Sequence, residues 1–116
     1  MSTRQPAHHI PPADYANGKH VKGATNEERK KNCIKFGDGQ FLAELSPDDV
    51  ERMEIEVLQS GNFEREREGG SYHLYKRLNR PVGYISVGNG AEVTYTMRAE
   101  ITQAGRPEIH SHPRER

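Results

Sequence analysis

The stretch Glu92-Val93-Thr94-Tyr95-Thr96-Met97-Arg98-Ala99-Glu100-Ile101-Thr102 decides the fold. Val93, Tyr95, Met97, Ala99 and Ile101 point one way; Glu92, Thr94, Thr96, Arg98 and Glu100 point the other. A period of two marks a strand with one face on a core and the other toward solvent. Just upstream, Asn89-Gly90 predicts a hairpin turn, because both central positions want positive φ, and Val82 to Val87 becomes the preceding strand. Further back, Tyr72, Leu74 and Leu78 alternate with His73, Tyr75 and Arg77. Downstream, Ala104-Gly105-Arg106-Pro107 turns the chain into a last short strand, about Glu108 to His112.

Before Gly61 the period is helical. Ser46-Pro47-Asp48-Asp49 combines a capping hydroxyl, a proline at the first helical position and two carboxylates at the positive end of the dipole. Val50, Met53, Val57 and Leu58 then recur at helical spacing, and Gly61 stops the run. The spacing predicts a helix over 47–59 with one apolar stripe and an acidic outer face. Thr25-Asn26-Glu27-Glu28 is a capping box that predicts a shorter helix through about Asn32. Residues 1–24, with Pro6, Pro11, Pro12, Gly18 and Gly23, read as an N-terminal tail or lid segment. The expected architecture is α+β: one or two N-terminal helices packed on an antiparallel β-meander of about four strands, with 25–116 as a single domain.

A chain of 116 residues with 32% hydrophobic and 29% charged residues supports one small core. No apolar run approaches a membrane span, and the opening Met1-Ser2-Thr3-Arg4-Gln5-Pro6 has no apolar segment behind it, so no signal peptide is expected. The single cysteine, Cys33, excludes an internal disulfide and reads as a small buried residue rather than a nucleophile. Seventeen Lys/Arg balance 17 Asp/Glu, which argues against a bulk coater of DNA. The balance hides three blocks, however: +4 over Arg4–Lys35, −7 over Asp38–Glu68 and +3 over Gly69–Arg116. Such segregation orients an anionic ligand locally although the total is neutral.

The second face of the decisive strand carries the chemistry. Arg98 and Glu100 are two apart on one strand, and His110 and His112 two apart on the next, so neighbouring strands bring the four together. His73, Tyr75 and Arg77 add a third row, and Lys76, Thr94 and Thr96 are further candidates for holding substrate. Cleavage of RNA without a metal needs a base for the ribose 2′-hydroxyl, an acid for the leaving 5′-oxygen and a cation for the phosphorane. Imidazole and carboxylate supply the first two, and guanidinium the third. His110-Ser111-His112-Pro113 also has the spacing for zinc on one side, as in metalloproteases that use a His-x-His-Pro segment. Those need an upstream glutamate and a downstream aspartate, and no such aspartate follows, so neither metal nor cofactor is expected. Gly37-Asp38-Gly39 and Gly69-Gly70 are turns without the context of a phosphate loop.

Several short elements together resemble a family. Arg4-Gln5-x-x-His8-His9-Ile10-Pro11, Gln40-Phe41-Leu42 before a helix, Gly83-Tyr84 in a strand and the closing Glu108-Ile109-His110-x-x-Pro113 are similar in order to bacterial polymorphic-toxin domains of the type-fifty class. That resemblance implies a fold of the barnase, EndoU, colicin and RelE kind and metal-independent ribonuclease activity, with His9 (or His8) and His110 as catalytic histidines. The family's His-Tyr-Ser-Lys-like segment before the final motif is replaced here by Glu100-Ile101-Thr102-Gln103, and His110 and His112 compete for one role.

The leading expectation is therefore a toxin endoribonuclease acting on RNA, with tRNA one candidate, in the cytoplasm of a target bacterium, and carried as the C-terminal part of a larger secreted or phage-encoded protein. Arg98 holds the phosphate, Glu100 and His110 share acid–base work, His112 or His73 assists, and Lys76, Arg77 and the basic N-terminal block hold the backbone. A cognate immunity protein is the expected partner. The competing expectation is a non-catalytic inhibitor whose acidic helix 47–59, through Asp48, Asp49, Glu51 and Glu54, imitates a nucleic acid.

Overall fold

The computed structural model describes residues 8–14, 17–67, 70–102 and 108–115. The chain is α+β. In order, its elements are β1 (His8–His9), α1 (Asn26–Phe36), β2 (Gln40–Phe41), α2 (Pro47–Ser60), β3 (Asn62–Arg67), β4 (Ser71–Arg77), β5 (Gly83–Val87), β6 (Gly90–Thr94), β7 (Thr96–Thr102) and β8 (Glu108–Arg114).

Both helices start as their capping residues dictate. Thr25 Oγ1 accepts from the Glu28 N–H, and Ser46 and Asp49 exchange side-chain-to-backbone bonds of 3.1 and 2.9 Å. α1 runs four residues past Asn32 to Phe36. Gly37 ends it, taking φ +73°, with its N–H on the Cys33 carbonyl.

The strands divide into two sheets. The larger has the order β1-β8-β7-β4-β3, and the smaller β2-β5-β6. The run 92–102, whose unbroken alternation predicts one strand, breaks at Tyr95: β6 stays with the small sheet, and β7 enters the large one between β4 and β8. Thr94 and Thr96 flank the break and are both buried; the Thr94 hydroxyl donates to the Arg114 carbonyl at 2.5 Å. The β5–β6 turn falls one residue earlier than expected. Val87 pairs with Gly90, so Gly88 and Asn89 are the central pair, and only Gly88 has positive φ (+59°), which suits a glycine-first turn. The turn expected at 104–107 lies outside the described residues. Within residues 1–24, the expected tail or lid segment, His8–His9 pairs in parallel with Glu108–Ile109 as an edge strand.

α2 lies on β7 and β4 of the large sheet, and α1 lies on the small one. The core joins Val50, Met53 and Val57 of α2 to Met97 and Ala99 of β7, with Phe41, Leu78 and Val82. Glu54, expected on an acidic outer face, is buried instead, and Ser111 on β8 donates to its carboxylate. Its position, four after Val50 and three before Val57, puts it on the stripe rather than opposite it.

A candidate active site on the open face of the large sheet

Register gathers the polar side chains. Glu100 on β7 faces His73 on β4 and His110 on β8, and Arg98 faces Tyr75 and His112. Cross-strand neighbours on one face sit about 5 Å apart, so these six residues form two adjacent rows. Glu100 occupies the centre. One carboxylate oxygen lies 3.5 Å from His73 Nε2 and the other 3.8 Å from His110 Nε2. His73 is 1% exposed and His110 6%, whereas the Glu100 side chain keeps 21% of its surface. The carboxylate therefore reaches solvent, and the two rings stand behind it.

Arg98 is held by a residue that alternation alone does not reveal. β3 carries a bulge between Phe63 and Arg65, which inserts Glu64 as an extra residue. Its carboxylate accepts from Arg98 Nε at 3.2 Å and is ion-paired with Arg114 as well. Two guanidiniums share one carboxylate, which leaves the group one positive charge in excess.

His112 ends the row of Arg98. Its Nδ1 donates to the Pro113 carbonyl at 3.0 Å, which leaves the Nε2 lone pair as its free acceptor. Its ring stacks on His20 at 5.0 Å between centroids, and His20 Nδ1 in turn donates to the Gly39 carbonyl. Burial lowers the pKa of His112 to about 4, so at neutral pH it is an uncharged base. Burial also lowers His20. For His110 burial again dominates and lowers the value, with the Glu100 carboxylate opposing it.

A cleft of about 510 Å³ opens over this wall, with Arg98, Glu100, His112 and Arg114 on one side. Lys19, Asp38 and Ser86 are among the residues on the other side. Gln40 fixes that rim: its amide donates to the Lys19 and Asp38 carbonyls and its oxygen accepts from the Lys22 N–H. The seam below is tight. A Cβ on Gly83 would collide with the Gln40 carbonyl and stand 2.8 Å from Pro113 Cγ. Gln40-Phe41, Gly83-Tyr84 and Pro113, far apart in the chain, thus meet under the cleft.

Not every candidate joins the site. Lys76 is on the opposite face, with Nζ 2.6 Å from Ser60 Oγ and 3.0 Å from Glu56; alternation with His73 and Tyr75 on one face puts Lys76 on the other. Arg77 shares the polar face but covers the Tyr95 ring at 4.9 Å, in a separate groove with Glu92. Thr94 and Thr96 are buried at the sheet junction, so neither hydroxyl fronts the cleft. The backbone of His9 lies beside Ile109, next to His110; the role expected of its side chain falls outside the described residues. Cys33 is buried, which raises its thiol pKa. Among the described residues no three His, Cys, Asp or Glu groups are placed to hold a metal ion, and no helix is long and apolar enough to cross a membrane.

Two residues of the site went unread in the sequence. His20 sits in a segment without periodicity, and Glu64 sits in the charge-rich run Asn62–Arg67. Neither a strand pattern nor a helix pattern marks them. No family model, curated protein or solved structure matches the chain.

Proposed function

We propose that this domain is a metal-independent endoribonuclease. The observation that carries the reading is the Glu100 carboxylate between two imidazoles, on the same wall as His112 and the Arg98–Glu64–Arg114 group. In this reading neutral His112 takes the proton of a ribose 2′-hydroxyl through Nε2. The 2′-oxygen bonds to phosphorus, and the bond from phosphorus to the 5′-oxygen breaks. The pair formed by Glu100 and His110 gives its proton to that leaving oxygen. The products are a 2′,3′-cyclic phosphate and a 5′-hydroxyl. The excess positive charge shared by Arg98 and Arg114 offsets charge building on the phosphorane.

The domain then acts as a toxin on RNA in the cytoplasm of a target bacterium, and a cognate immunity protein silences it by covering the cleft. The inhibitor reading loses ground, since Glu54 is buried and Glu56 is paired with Lys76. Purified protein is expected to degrade RNA in EDTA, and His110→Ala to slow it at least ~100-fold. Full activity in that variant removes His110 from the mechanism.

A further inference from the structure

We propose that the C-terminal half of α1 is a track for single-stranded RNA leading from the cleft, with Phe36 as a stacking platform. The proposal rests on the ribonuclease reading of the neighbouring site. Phe36 is 47% exposed at the end of α1, beside Gly37, which lines the cleft. Lys22 Nζ lies 3.8 Å from the centre of its ring and Lys35 Nζ 5.2 Å. Lys31 is one turn back from Lys35 on the same stripe.

None of Lys22, Lys31 and Lys35 has a carboxylate partner at ion-pair distance among the described residues. Other cations are paired, Lys19 with Asp38, Lys76 with Glu56 and Arg98 with Glu64, whereas here Lys22 and Lys35 gather about one exposed ring. Like charges one helical turn apart disfavour the helix, and a second pair converging on one ring adds to that cost. A polyanion with a flat group to stack removes both costs. Single-stranded nucleic acid is that ligand: phosphates answer the lysines, and any base answers the ring. Proximity to a site that needs a 2′-hydroxyl selects RNA.

The test uses the full chain carrying His110→Ala, so that the probe survives, and a fluorescein-labelled single-stranded RNA of about 12 nucleotides. Fluorescence anisotropy across a salt series reads affinity. Phe36→Ala is expected to weaken binding ~10-fold, and Phe36→Tyr to keep it. The double variant K22Q/K35Q is expected to flatten the plot of log affinity against log salt by about 1.4, or about 0.7 per lysine. Wild-type affinity and slope in these variants, with unchanged circular dichroism, overturn the track, as does failure of the parent to bind the oligomer. Failure of the ribonuclease reading shows separately, as intact RNA after incubation with wild-type protein; Phe36-dependent binding in that case still upholds the track.

Discussion

The two faces of the large sheet are made by the same strands and have opposite characters. Toward α2, β7 sends Met97 and Ala99, both fully buried against Val50, Met53 and Val57. Toward the cleft, one residue out of step, it sends Arg98 and Glu100. The first face is held by removal of apolar surface from water. The second brings charges and imidazoles together under burial, which lowers the pKa of His110 and His112 on the face and of His20 stacked on His112. An apolar wall would serve stability better than a buried cluster of ionisable groups, and the proposed ribonuclease gives that cluster a chemical use.

The sharpest way to break this contrast is to exchange the expected losses. Met97→Ala should cost about 2–5 kcal/mol, read as a drop in the urea midpoint, because it opens a cavity in a closed core. Glu100→Gln should instead slow RNA cleavage ~100-fold or more with the midpoint nearly unchanged. A large stability loss from Glu100→Gln would make the polar face structural.

Next comes pH. His112 titrates near 4 when folded and near 6.5 when unfolded. Between those values the unfolded chain binds the extra proton, so stability falls as pH drops from about 6.5 to about 4, by up to ~3 kcal/mol. Above 6.5 that contribution is fully present. His112→Asn should flatten the slope in denaturation curves collected across this window. Cleavage runs the other way over its upper part. Burial lowers the pKa of His110, so in the proposed mechanism the rate should rise as pH falls below neutral. A rate that falls over that range removes the Glu100–His110 pair as the acid. The smallest effect is expected at Lys76, whose partly exposed bond to Glu56 predicts a change within ~0.5 kcal/mol for Lys76→Ala and no change in cleavage.

Much of this contrast is legible in the sequence because a period of two carries side-chain direction. Arg98, Glu100, His110 and His112 share a face for that reason, and the capping residues at Thr25 and Ser46 mark both helix starts. Three features escape the pattern. Tyr95 interrupts no alternation, so the passage of the chain from one sheet to the other is invisible locally. Glu64 comes to Arg98 through a bulge, which shifts register without changing composition. Glu54 is a carboxylate on a helix, a type ordinarily solvated, and only its spacing from Val50 and Val57 betrays its inward position. Long-range pairing decides the first two, and short windows do not contain it; Glu54 is settled by helical spacing against the ordinary expectation for its residue type.

Gly83 sits where the two sheets press together, with the Gln40 carbonyl and Pro113 filling the space any side chain would need. A joint this close has no slack for sliding. The banks of the cleft, Ser86 from the small sheet and Arg98 from the large one, are joined through this seam, and under the ribonuclease proposal it is this joint that sets the aperture a nucleotide has to fit.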